Sequence, residues 1–407
     1  MIEFAYSLKN DPKKAFDEIR SKAENLDFRP NLAIVYLTEH LQKDAKVFKF
    51  DFETLCVPVE GFITPDGVWT RGCLCMFADI DYTLNVFRGN PDEVVEQLRS
   101  AEKGRFNLLV YPLFYVESKV SLISNFLKLK LAKNAKEASK VFENAIYPMN
   151  KLLRPFRDEK SITASLNLYP VKFSTGRPQI FLNGSKTGRC VVHLALEDKF
   201  ESQYSDFLPE RGRSVEETKK ILENDFQFID EVTVKKDLLV IEEINGLKIR
   251  DFLRMHKVRM KEDLEKDLEE GEFFGATPYG LLFFSKETGG IAGLGLMDYD
   301  LRFYPSFFEL TPFDDSAIFF GERLKDGLKR VRSELKEKRS NFVLLDQNIM
   351  LMFEEKLVEV FKDMGIFGII TSFPSYSGKP IKKLMTEVED RIFMNTTLSS
   401  IFIRLTN

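Results

Sequence analysis

GIFGIITSFPSYSGKPIKKLMTEVEDRIFMNTTLSSIFI, residues 365–403, carries the reading that decides the fold. It is an apolar strand with a glycine at its entry, a turn-rich segment, a basic-then-acidic amphipathic piece and a final strand. The same order stands near the other end of the chain in TLCVPVEGFITPDGVWTRGCLCMFAD, residues 54–79, where an apolar strand runs through Gly61 to a turn at Pro65, Asp66 and Gly67 and then to a second apolar strand. Each stretch follows a strand and an amphipathic helix, so the two ends read as copies of one supersecondary unit. Duplication of this kind suits a module that binds a ligand or a partner.

Working outward, DPKKAFDEIRSKAENL (11–26) offers Asp11 as N-cap, Pro12 at the first helical position, and Ala15, Phe16, Ile19, Ala23 and Leu26 at helical spacing. NLAIVYL (31–37) reads as a buried strand. The pattern returns from Pro91: PDEVVEQLRSAEKG predicts a helix with Gly104 as its C-terminal cap, and FNLLVYPLFYV a strand after it. Helices are predicted near Val120 to Lys133 and Ala135 to Met149. RPQIFLN (177–183) and RCVVHLALED (189–198) read as the two arms of a hairpin turning at Gly184, Ser185 and Gly188. A polar stretch between Glu201 and Glu231 marks a boundary, which places domains at residues 1–205 and 206–407.

After it, EVTVKKDLLVIEEINGLKIRDFLR (231–254) predicts strand, turn, strand, an Asn245-Gly246 turn and a helix. A basic amphipathic helix from Glu322 to Arg339 precedes the buried strand FVLLDQNIML (342–351). The fold class is therefore α/β (mixed α+β): duplicated helix-strand-helix-strand-strand units forming mixed β-sheets covered by helices, in two halves. The units starting near Asp11, Pro91 and Glu322 are expected to superpose.

Over 407 residues, a net charge of -4 gives no basic field for a general nucleic-acid or anionic-membrane partner. The opening MIEFAYSLKNDPKKAF lacks the pattern of a signal peptide, and no apolar run reaches the roughly 18 residues a membrane helix needs. A cytoplasmic location is expected. Cys56, Cys73, Cys75 and Cys190 are too few for a disulfide scaffold, and scarce Gln beside abundant Lys and Glu leans toward a thermophilic source.

Cys73 and Cys75 share a strand face, but no second Cys/His pair stands near them, and His40, His193 and His256 are scattered. Asp79 with Asp81, and Asp298 with Asp300, read as solvated strand ends, since neither comes with a phosphate-cradling loop. GGIAGLGL (289–296) has hairpin spacing and not GxGxxG. No GK[ST], HExxH, CxxC or GxSxG occurs. The expectation is no catalytic residue, no metal and no cofactor. LRFYPSFFEL (301–310) is a candidate aromatic wall, weighed against ordinary packing.

Taken together, PNLAIVYLTEH, VPVEGFITPDGV, IFLNGSKTGRCVVHLAL, VTVKKDLLVIEEINGLKIRDFLR, the Pro278-Tyr279-Gly280 element and the strand at Phe393 to Thr397 resemble the FIST family of sensory domains, N-terminal and C-terminal halves in order. The resemblance spans nearly the whole chain through short motifs. It implies a non-catalytic sensor of small molecules, amino acids being the proposed class, which signals through a separate protein. Two departures stand out: Ser375-Tyr376-Ser377-Gly378 replaces the family's Gly-Glu pair, and Leu345-Asp346-Gln347-Asn348 replaces its Cys and Arg.

In a duplicated sheet protein the turns after the glycine-bearing strands occupy equivalent positions. Glu60, Gly61 and Thr64 are therefore expected to line one cleft with Ser375 to Gly378. The residue types suit a zwitterion: backbone N–H groups beside Gly61 and Gly378 and the Arg71 guanidinium for an acid group, Glu60 for an amine, and Tyr376, Ser377 and Asn395 for orientation. Two other readings remain open, a metabolite enzyme working through carboxylates and a protein-interaction scaffold.

Overall fold

In the computed structural model, Leu32–Leu37 and Glu53–Pro58 pair in parallel, Leu32 opposite Glu53 and Leu37 opposite Pro58. The residues described are 1–115, 119–156, 161–168, 178–197, 200–206, 214–257, 281–287, 289, 291–293, 296–297, 302–304, 315–320, 333, 341–347, 357–358, 361, 364–371, 374–377, 393–394 and 399–405. Leu32–Leu37 is buried at every position, as its unbroken apolar run requires of a strand covered on both faces. Ile2–Ser7 precedes it, and Cys73–Ala78 returns antiparallel between the two. The linking helix, Pro12–Glu24, starts as its sequence reads: the Asp11 side chain accepts from the Lys14 N–H, Pro12 opens the first turn, and Ala15 and Ile19 go under.

The same four-strand order recurs twice more. In the second unit it is Tyr82–Phe87, Val191–Leu196, Phe106–Pro112, Ile162–Leu168; in the third it is Phe200–Asp206, Ser399–Leu405, Phe342–Asp346, Phe367–Thr371. Each time the returning strand is antiparallel to both neighbours and the last two strands are parallel. The two chain ends read as copies are thus joined by a third sheet of the same strand order in the second unit, where the sequence also places a unit start. After its fourth-placed strand every unit sends a short strand to another unit's sheet. Gly61–Thr64 of the first pairs with Phe367–Thr371 of the third, Phe181–Leu182 of the second with Glu53–Pro58 of the first, and Pro374–Ser377 of the third with Ile162–Leu168 of the second. The exchange closes a ring.

Inside the ring, alternate residues of all three sheets form one core, including Ile34 and Tyr36, Leu108 and Val110, Leu344 and Ile369. Burying each such side chain is worth roughly 1.5–3 kcal/mol. The outer faces of the first two sheets carry their own clusters under the helices. Between Asp206 and Phe342 the third unit holds an inserted sheet of eight strands built on Gln227–Asp237. The insert docks on the second unit's helices: the Ala135 N–H donates to Glu242 Oε2 at 3.0 Å, and the Leu239 N–H to Ser139 Oγ at 3.0 Å. Its Asn245-Gly246 turn has both residues at positive φ, as the dipeptide predicts.

Two local expectations are corrected. RCVVHLALED is not the second arm of a hairpin with RPQIFLN: Val191–Leu196 pairs with Phe106–Pro112 and Tyr82–Phe87, while Phe181–Leu182 turns onto Ser185–Lys186. The turn residues are local, and the long strand is claimed by the second unit's sheet. Gly104 does not cap the helix Pro91–Ser100, whose C-cap is Ala101. A Cβ at Gly104 would meet the Leu196 backbone at 2.6 Å, so close approach of two chains demands the glycine. The expected helix 322–339 lies outside the described residues except at Ser333.

Candidate functional site

Parallel strand pairs end where open α/β folds place ligands, at their carboxyl ends. In the third unit that end carries Asp346 opposite Thr371, both fully buried on the face that holds Leu344 and Ile369. The matching register positions are Tyr36 and Val57 in the first unit and Val110 and Leu166 in the second, all apolar or aromatic. Beside Thr371 the first unit's chain crosses over: the Glu60 N–H donates to the Ile370 carbonyl at 2.9 Å, and Gly61 pairs with Ile370. Glu60 is half-buried, and burial pushes its carboxyl up to about 8, with the Glu39 carboxylate adding to the effect. His40 lies in the short helix Glu39–Gln42 that follows Leu32–Leu37, its Nδ1 3.2 Å from Thr38 Oγ1. Burial lowers its affinity for a proton and the Arg71 guanidinium lowers it further, against the Glu39 carboxylate, which raises it.

Of the residues expected to form a site, Glu60, Gly61 and Thr64 sit together in the crossing hairpin, and Arg71 is exposed beside it. Their bonds are largely internal. Thr64 Oγ1 accepts from Trp69 Nε1 at 3.0 Å, and a Cβ at Gly61 would stand 2.8 Å from the Trp69 carbonyl. Tyr376 and Ser377 lie in the third unit's hairpin, on the second sheet, opposite Ala164 and Thr163. Gly378 and Asn395 fall outside the described residues. Cys56, Cys73, Cys75 and Cys190 are all buried free thiols, and burial pushes Cys73 up to about 12. Among the described residues no group of three or more His, Cys, Asp or Glu is placed to hold a metal, and no helix is long and apolar enough to cross a membrane.

The strand that Tyr376 and Ser377 join carries a feature that sequence reasoning missed. Thr163, Ser165 and Asn167 occupy three successive outward positions of Ile162–Leu168 and are wholly buried. Asn107 and Tyr111 stand opposite the first and last of them, and His193 lies one strand further on. Tyr111 Oη and Ser165 Oγ are 3.4 Å apart. Asn107 is oriented by Gly104, giving Nδ2 to its carbonyl and accepting from its N–H at Oδ1; that oxygen also takes the His193 Nε2 proton at 3.0 Å. His193 Nδ1 is thereby a bare acceptor. Among the described residues it has no partner, and neither have Thr163 Oγ1, Asn167 Oδ1 or Asn167 Nδ2.

Buried polar atoms left unbonded cost roughly 1–3 kcal/mol each, so a cluster of them calls for a reason. The fold does not require it. At the matching register positions the first unit has Thr54, Cys56 and Pro58 opposite Ala33, Val35 and Leu37. Its one hydroxyl there is fully used, Thr54 Oγ1 donating to the Phe52 carbonyl and accepting from the Phe50 N–H. Burial among Phe156 and Phe87 drops the His193 pKa to about 4, with Lys103 contributing, so the stripe is uncharged at neutral pH. The alternation Thr-x-Ser-x-Asn was the available signal, a strand whose two faces are apolar and polar although both are covered.

A family model described as AF0772-like protein C-terminal domain matches residues 216–325, the span of the inserted sheet. An uncharacterized protein of Archaeoglobus fulgidus is 60% identical over 349 residues, 86% of this chain and 100% of that protein. A second uncharacterized protein of the same organism is 90% identical over 61 residues, 15% of this chain and 98% of that protein.

Proposed function

The chain belongs to one family with the full-length Archaeoglobus fulgidus protein and carries the AF0772-like domain as its insert, and on that footing we propose that it is a cytoplasmic, non-catalytic binding protein for a small polar molecule. The FIST-like motifs make this a sensory role, with an amino acid or similar metabolite as ligand and a separate signalling protein as recipient. The observation that carries the reading is the stripe of Thr163, Asn167 and His193 with donors and acceptors unfilled among the described residues, where the first unit has one hydroxyl, Thr54, and that one is bonded. A ligand bearing both donors and acceptors would satisfy those atoms. The expected Tyr376 and Ser377 run alongside on the paired strand.

The test is a thermal-shift screen of amino acids and neutral metabolites on wild type, Thr163→Val and Asn167→Leu. A ligand at one hundred times its Kd raises stability by about 2.7 kcal/mol through mass action. The variants should fold at least as stably as wild type, because each removes unbonded buried atoms, and should lose the ligand-induced shift. A hit that shifts wild type and both variants equally would exclude the stripe. Variants less stable than wild type without any ligand would show that the polar atoms serve the fold instead.

A further inference from the structure

The helix Lys119–Leu131 presents a ridge of exposed side chains that no other described element covers. Val120, Ile123, Leu127 and Leu131 are 77, 59, 57 and 75% exposed, and their spacing of three and four residues puts them on one face. Single exposed aliphatics are ordinary; four in line on one helix are not. The opposite side is anchored. Leu129 is buried, Phe126 packs against the second unit's helical cluster, and Arg302 of the insert donates to the carbonyls of Leu129 and Ala132 at 2.8 and 3.1 Å. The ridge is therefore held outward.

The charge beside the ridge names its partner. From Lys119 through Lys136 the sequence contains Lys128, Lys130 and Lys133 as well and no acidic residue, in a chain whose net charge is -4. Lys128, Lys130, Lys133 and Lys136 are exposed. Aliphatic side chains along the outermost line with lysines at its flanks suit a helix lying in the plane of a bilayer surface. The apolar groups enter the boundary between headgroups and acyl chains while the ammonium groups reach the lipid phosphates. A second copy of the chain is a poorer fit, since a twofold pairing of these helices would set lysines against lysines. We propose that this helix docks the protein on an anionic lipid surface.

The experiment is sedimentation of the full chain with vesicles of phosphatidylglycerol or of phosphatidylcholine, at low and high salt. Wild type should bind phosphatidylglycerol vesicles, lose roughly ten-fold or more in affinity as salt screens the lysines, and bind phosphatidylcholine weakly. Leu127→Ser/Leu131→Ser and Lys128→Gln/Lys133→Gln change only exposed side chains and should keep the wild-type melting temperature while losing the vesicles. Absence of binding to phosphatidylglycerol at low salt would overturn the proposal, as would undiminished binding by either variant. A dimer seen by light scattering that Leu127→Ser/Leu131→Ser dissolves, without vesicle binding, would assign the ridge to self-association instead.

Discussion

Half-buried Glu60 and buried His193 are shifted to opposite sides of neutrality, and together they shape how stability depends on pH. Between an ordinary glutamate value of 4.5 and about 8 the folded state keeps the Glu60 proton that the unfolded chain has released, so stability falls as pH rises through that window. His193 works in the other direction. Its folded value near 4 lies below the ordinary 6.5, so the unfolded chain takes a proton that the folded one refuses, and stability falls as pH drops from 6.5 toward 4. Glu60→Gln should flatten the alkaline limb alone, gaining on the order of 2 kcal/mol over wild type at pH 9 in urea melts. Parallel curves for the two proteins would mean that Glu60 is better hydrated than its burial indicates. Glutamate at position 60 was legible as a candidate, but its perturbed proton affinity was not, because it comes from burial in the folded chain and the nearby Glu39 carboxylate.

The crossing hairpins are the elements on which the ring depends, and Gly61 shows how tightly one is packed. A Cβ there would stand 2.8 Å from the Trp69 carbonyl and 3.3 Å from Ile370 Cδ1, so both strands of the hairpin or the third sheet must shift to admit it. Gly61→Ala should cost about 1–3 kcal/mol, read as a lowered urea midpoint with an unchanged slope. A midpoint equal to wild type would show that the hairpin is loosely held. The glycine itself was visible in the sequence, and so was the turn at Pro65 to Gly67. Which sheet the hairpin joins was not, since turn chemistry determines the hairpin and says nothing of the strand beside it. The same limit explains Phe181–Leu182 and Val191–Leu196, adjacent in sequence and placed in different sheets.

At the scale of the whole molecule, the third unit is closed by the last strand, Ser399–Leu405, which lies between Phe200–Asp206 and Phe342–Asp346 and pairs with both. Ending the chain at Leu398 should therefore strip both partners of their ladder and, through Gly61–Thr64, loosen the first unit's hairpin on the third sheet. The expected result is loss of most of the roughly 5–15 kcal/mol typical of a folded domain, seen as early, broad melting by circular dichroism. A truncated chain with the full-length melting curve would rule out an interdependent ring. The strand at 200–206 also means that a boundary drawn at 205/206 passes through a strand of the third unit, whose other strands come after the insert. By itself the sequence determined the mixed α/β class, the helix-and-strand starts at Asp11 and Pro91 and many of the strands, because apolar period, caps and turn residues are local physical preferences. Only the tertiary structure decided the ring, the destination of each hairpin and the unfilled polar stripe. These depend on pairings between residues far apart in sequence, whose energies no local pattern records.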